Sequence, residues 1–217
     1  MIDYLPELSQ DIIDELLSIY RSEPKKIYRW RNGASHKKAL EVVRPIINAY
    51  LGHDDWSSTS GNYFETWYPY RIHTDTSITE HNYQTFVFPL DWTLTEQSSV
   101  NKNVLYVFDQ TWDYENTMFM KGSSPGKEGD RPNSETRNYS RINNIVPNHF
   151  EENVILDCDH LDRENFNGLT VNKKFIWKPG LPFTFPRNSL HCSNNWKQIG
   201  IWRKLGLSIF TSADVDI

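Results

Sequence analysis

Three His-x-Asp pairs stand in this chain: His53/Asp55, His73/Asp75 and His160/Asp162. An imidazole and a carboxylate held side by side are metal ligands, and a chain rich in both residue types also produces such pairs by chance. Context has to choose among them. His53/Asp55 sits in "LGHDDWSST", where acidic residues followed by Ser and Thr read as a turn or cap. His160/Asp162 sits in "DCDHLDRENFNG", an acidic, loop-like stretch that reads as a solvated loop. His73/Asp75 closes the strand-like run "NYFETWYPYRIHTD". In a strand, alternate side chains share a face, so Arg71, His73 and Asp75 are expected to project together. His191, in "FTFPRNSLHCSNN", is the best third ligand. Two imidazoles and one carboxylate on one side of a metal leave the other positions open, a donor set that suits Fe(II) with O2 and a cosubstrate.

The elements that must position these groups follow from periodicity. "ELSQDIIDELLSIYRSEP" carries Ile12, Ile13, Leu16, Leu17 and Tyr20 at helical spacing, with Ser9 as a cap and Pro24 as a stop. A second helix is expected over His36–Tyr50, with Pro45 inside it and Gly52 ending it. Beyond Gly52, strand-like runs succeed one another: "NYQTFVFPLDW", "VLYVFDQ", "NTMFMKG", "KKFIWKP", "LPFTFP" and "IWRKLGLSIFTS". They are rich in β-branched and aromatic residues and bounded by Pro, Gly, Asn and Asp. Two helices followed by many short strands predict a mainly β core, sandwich or barrel, with helical cladding. The polar stretch at about 121–172 is too long for a hairpin loop and reads as an insertion that could cover a site. No repeat or linker divides the chain, so a single domain over 1–217 is expected, with 1–52 as cladding and 62–211 as core.

Composition removes several classes. The 217 residues include 14% aromatics and 8 Trp, enough for a large core and too apolar for disorder. A net charge of −5 and scattered basic residues argue against a nucleic-acid partner. Two cysteines, Cys158 and Cys192, make no disulfide framework and read as free thiols. The start "MIDYLPELSQDIID" has neither a basic nor an apolar leader segment, and no apolar run is long enough for a membrane helix. A soluble, cytoplasmic protein is the expectation.

The order His73-x-Asp75, distant His191, then a basic residue in "IWRKLGLSIF" resembles the 2-oxoglutarate/Fe(II)-dependent oxygenases. The phytanoyl-CoA dioxygenase-like branch and similar small members are the nearest in pattern. The resemblance covers roughly 62–211. "WKPGLPFTFPRNSLHCSNN" resembles the turn and strand leading into the family's distal histidine, and "KLGLSIFT" its last core strand. It implies a double-stranded β-helix, that is, a cupin-like jelly roll. It implies Fe(II) on His73, Asp75 and His191, with 2-oxoglutarate as cosubstrate. It also implies a basic side chain for the far carboxylate of 2-oxoglutarate, because a buried carboxylate needs a charge-assisted partner. The implied reaction consumes O2, converts 2-oxoglutarate to succinate and CO2, and hydroxylates a small molecule. Halogenating relatives lack the carboxylate ligand that Asp75 supplies here.

Two neighbours compete for the anchoring role. The family's usual arginine position falls on Trp202, so the match is shifted. Arg203 offers a bidentate fork. Lys204 is favoured by parity, since Lys204, Gly206 and Ser208 share one face and Arg203, Leu205, Leu207 and Ile209 the other. The Leu207–Ser208 pair, aligned with the family's pattern, also selects Lys204. Ser208 and Thr85 are expected beside the cosubstrate, and Tyr106 is a further candidate. Two rival classes remain at this level: a cupin-like metalloenzyme that does not use 2-oxoglutarate, and a non-enzymatic β-sandwich in which the three candidate ligands never meet.

Overall fold

The computed structural model describes residues 1–22, 34–75, 82–113, 117, 118, 120 and 141–213. The chain opens with a short strand, β1 (Asp3–Tyr4), and two helices, α1 (Gln10–Ser22) and α2 (Ala34–Leu51). Ser9 Oγ accepts from the backbone N–H of Ile12 at the start of α1, satisfying one of the donors that a helix leaves open. Helix α2 keeps Pro45 in its interior and stops at Gly52. There φ is +77° and the glycine N–H returns to Asn48 O at 2.8 Å, a left-handed C-terminal closure that favours glycine. The expected stop at Pro24 lies outside the described residues. No helix among the described residues is long and apolar enough to cross a membrane.

The strands are β2 (Trp56–Thr66), β3 (Asn82–Leu94), β4 (Val104–Trp112), β5 (Ile142–Asn143), β6 (Val171–Ile176), β7 (Phe183–Pro186), β8 (Ser189–Ser193) and β9 (Ile201–Ala213), with a short helix α3 (Glu152–Asp157) before β6. They form two antiparallel sheets. The larger has the order β1-β7-β3-β9-β2; in the smaller, β4 pairs with β5, β6 and β8. The fold is mainly β, a jelly roll of two facing sheets.

Alternation sorts each strand into two faces. On the larger sheet, Phe86, Phe88, Leu90, Leu205, Leu207 and Ile209 pack with Leu16, Leu17, Val43 and Ile47 of the helices. Their partners in alternation turn inward. Val87, Val107, Phe175, Phe183 and Phe185, drawn from both sheets, form the packed layer between them. On the smaller sheet, Val104, Tyr106, Phe108, Leu190 and Cys192 face outward under a cover that includes Val154, Cys158 and Phe166. Cys158 and Cys192 are free, buried thiols, with sulfurs 4.0 Å apart.

The strand expected to run from Asn62 to Asp75 ends at Thr66. Residues 67–75 are irregular apart from one bridge, His73↔His191. Pro69 supplies a physical reason, since it has no N–H for a ladder and restricts Tyr68 before it. Of the expected insertion, 121–140 lies outside the described residues. Its later part carries β5 and α3. "NTMFMKG" falls partly outside as well.

Candidate metal centre

His73 reaches the site without being in a regular strand. Its N–H donates to His191 O at 3.0 Å, and the His191 N–H donates to His73 O at 2.9 Å. This reciprocal pair docks the irregular 67–75 segment on an edge of β8. Directly opposed residues of an antiparallel pair project to the same face, and the two imidazole centroids stand 4.2 Å apart. Asp75 is two residues further on. Its N–H donates to Arg187 O at 2.9 Å, so the segment stays docked through the carboxylate.

Both imidazoles are locked in the same sense. His73 Nδ1 lies 2.9 Å from Arg71 O, and His191 Nδ1 lies 3.1 Å from Ser189 O. A carbonyl only accepts, so each Nδ1 carries the proton and each Nε2 keeps its lone pair. These lone pairs flank the Asp75 carboxylate. His73 Nε2 is 3.7 Å from Oδ1, and His191 Nε2 is 3.5 Å from Oδ2. One ligand atom from each of the three residues falls within 4.8 Å of the others. Burial holds the His73 pKa well below its ordinary value, and the neighbouring His191 and Arg71 lower it further. A neutral imidazole is the metal-binding form. The donor set therefore fits a divalent first-row cation. Phe185 packs over His191 at 4.5 Å and Tyr70 stands edge-on to His73 at 4.6 Å, giving the rings an apolar wall.

Lys204 and Arg203 are separated by strand parity. Lys204 is 3% exposed. Its ammonium lies between two indoles, 4.9 Å from the Trp177 ring and 5.0 Å from the Trp196 ring, as cation–π attraction favours. Among the described residues no carboxylate lies within ion-pairing distance of it. Burial pushes its pKa well below the usual lysine value. Arg203 turns the other way and is already neutralised, by Asp91 at 2.5 Å and Glu65 at 3.6 Å. Gly206 follows on the inner face, where a Cβ would stand 2.4 Å from Phe64 Cζ. Ser208 comes next on that face and is largely buried.

Other sequence-level candidates fall elsewhere. Thr85, expected on the cosubstrate, donates its hydroxyl to Asp75 Oδ2 at 2.9 Å. Tyr106 points to the outer face of the smaller sheet and bonds Asp157. His160 lies against Tyr70 O at 3.4 Å, and neither it nor His53 joins a metal-binding group among the described residues. Three residues of the site escaped sequence reasoning: Arg187, Trp177 and Trp196. Arg187 is 2% exposed, and a lone arginine in a polar turn carries no sign of burial.

No protein-family model matches the chain, and no curated protein matches it by sequence. Several solved structures are similar to it in fold. One is the non-heme alpha-ketoglutarate-dependent epimerase SnoN from nogalamycin biosynthesis, at 12% identity and TM-score 0.49, over 96% of this chain and 77% of that one. A prolyl-4-hydroxylase from Pseudomonas putida matches at 12% identity and TM-score 0.44, over 98% and 92%. EvdO2 from Micromonospora carbonacea var. aurantiaca, complexed with 2-oxoglutarate, matches at 13% and 0.44, over 99% and 87%.

Proposed function

We propose that the chain is an Fe(II)- and 2-oxoglutarate-dependent oxygenase that hydroxylates a small molecule. The observation that carries this reading is the convergence of two imidazole Nε2 lone pairs and one carboxylate, each imidazole pinned by its Nδ1–H. His73, Asp75 and His191 would hold the metal on one side and leave the opposite side for other ligands. Bound Fe(II) and 2-oxoglutarate would supply the oxidising power, with O2 reduced as 2-oxoglutarate is decarboxylated to succinate and CO2.

The chain's own contribution is binding, orientation and exclusion of water. Lys204 is a buried cation with no anionic partner among the described residues, and it sits on the inner face of β9 with Ser208. A dicarboxylate that reaches the metal with one end and Lys204 with the other satisfies both. Trp177 and Trp196 keep that ammonium out of bulk water, which strengthens its attraction for a carboxylate. Arg203 cannot substitute without breaking its pairs with Asp91 and Glu65. Asp75 supports hydroxylation over halogenation, because its carboxylate takes the position a halide would need.

Anaerobic titration with Fe(II) and then 2-oxoglutarate tests the reading. The expected result is a weak visible charge-transfer band in the wild type that disappears in His73→Ala. No band in the wild type, or an unchanged band in the variant, refutes it. Turnover that persists without 2-oxoglutarate would move the chain to a different class of metalloenzyme.

A further inference from the structure

We infer that Thr85 is a positioning residue that restricts Asp75 to ligating a divalent metal through a single oxygen, Oδ1. This rests on the metal site proposed above. Both carboxylate oxygens face an imidazole at similar range, Oδ1 towards His73 and Oδ2 towards His191. Left to itself, such a carboxylate can chelate with both oxygens. Thr85 removes the symmetry. Its hydroxyl donates to Oδ2 at 2.9 Å, while Oδ1 accepts no hydrogen bond among the described residues.

The donor is rigidly placed. Thr85 is 1% exposed and sits in the middle of the larger sheet, opposite Phe185 of β7 and Phe210 of β9. Its β-branched side chain has few rotamers. The carboxylate's backbone is equally fixed. Arg187 Nε and Nη2 both donate to Asp75 O at 3.2 Å, and Arg187 Nη1 donates to Thr211 O at 3.0 Å. With the main chain held by Arg187, the torsions of the Asp75 side chain are what remain free, and the hydroxyl of Thr85 selects among them. Hydrogen bonds to ligating carboxylates orient them and tune the site. Single-oxygen ligation has a functional consequence. A metal held by two imidazoles and a single carboxylate oxygen would keep its remaining positions open for a cosubstrate and O2. Chelation by Asp75 would close one of them.

The test uses Co(II) as the probe, added to the whole chain. Its visible d–d absorption reports coordination number, and titration gives affinity. Thr85→Val keeps the shape and removes the donor; Thr85→Ser restores it. Thr85→Val should bind Co(II) about tenfold or more weakly with an altered band, and Thr85→Ser should match the wild type. A Thr85→Val protein with wild-type affinity and spectrum overturns the inference. A second measurement needs no variant. The infrared splitting between the two carboxylate stretches of Asp75 is wide for one-oxygen ligation and narrow for chelation; a narrow splitting in the wild type overturns the inference while leaving the metal site intact. A wild type that binds no Co(II), or a His73→Ala variant that binds it equally well, overturns the metal site itself and the inference with it.

Discussion

His73 and His191 exchange backbone hydrogen bonds in both directions, at 3.0 and 2.9 Å. Residues far apart in sequence thus become direct neighbours, and the spacing of the two imidazoles is set by main-chain geometry rather than by side-chain chance. Replacing either imidazole leaves that backbone pair in place. His73→Ala and His191→Ala should each fold, shown by an unchanged far-ultraviolet circular dichroism spectrum, and each should lose Fe(II) or Co(II) affinity by about a hundredfold or more, extending the 10–100-fold range known for groups one shell further out. Retained affinity in both would show that the cluster does not hold metal.

Lys204 and Arg203 are sequence neighbours with opposite environments. Lys204→Met should weaken 2-oxoglutarate binding by about 2 kcal/mol or more, the scale for removing one partner of a buried charge pair. Arg203→Ala should change it little, because Arg203 already serves Asp91 and Glu65. Calorimetric titration of the metal-loaded variants ranks them, and the reverse ranking would assign the anchor to Arg203.

The same lysine predicts a gain. A buried cation without an anionic partner opposes folding. Without ligand, Lys204→Met should therefore be more stable than the wild type, by ~1–4 kcal/mol on the scale for replacing buried charges with apolar groups. Urea unfolding measures this; a less stable variant would mean that the two indoles fully compensate the charge.

pH acts on Lys204 with opposite signs in binding and in folding. Its folded-state pKa is lowered, chiefly by burial, so the unfolded chain holds this proton more tightly. Stability from this group rises with pH between the folded and the unfolded lysine pKa, and is lost as pH falls back through the folded value. Dicarboxylate affinity runs the other way, highest where Lys204 is charged and falling as pH rises through its folded pKa. Binding in buffers of different ionisation enthalpy should reveal proton uptake in the wild type and less of it in Lys204→Met.

Helix and site can be separated. Leu16 is wholly buried against the outer face of the larger sheet. Leu16→Ala should reduce unfolding free energy by about 2–5 kcal/mol and leave Co(II) affinity unchanged at temperatures where it is folded. A parallel loss of metal affinity would mean that helix packing sets the ligand geometry.

Much of this architecture is local and was legible. The apolar stripe of α1, the alternation in β3 and β9, and the parity that turns Lys204 inward and Arg203 outward all follow from periods of 3.6 and 2, which a sequence displays directly. His73/Asp75 and His191 could be picked out as candidate ligands by residue type and order, although the strand expected around His73 ends at Thr66. Tertiary structure decided how they meet. Pro69 breaks the expected strand, so His73 arrives on an irregular segment docked to β8. Thr85 turned out to serve Asp75, and Arg187, Trp177 and Trp196 emerged only when distant strands were brought together. The physical reason is range. Periodicity reports which face a side chain takes on its own element, whereas a buried arginine clamp or an indole pair around an ammonium exists only through partners that strand pairing supplies.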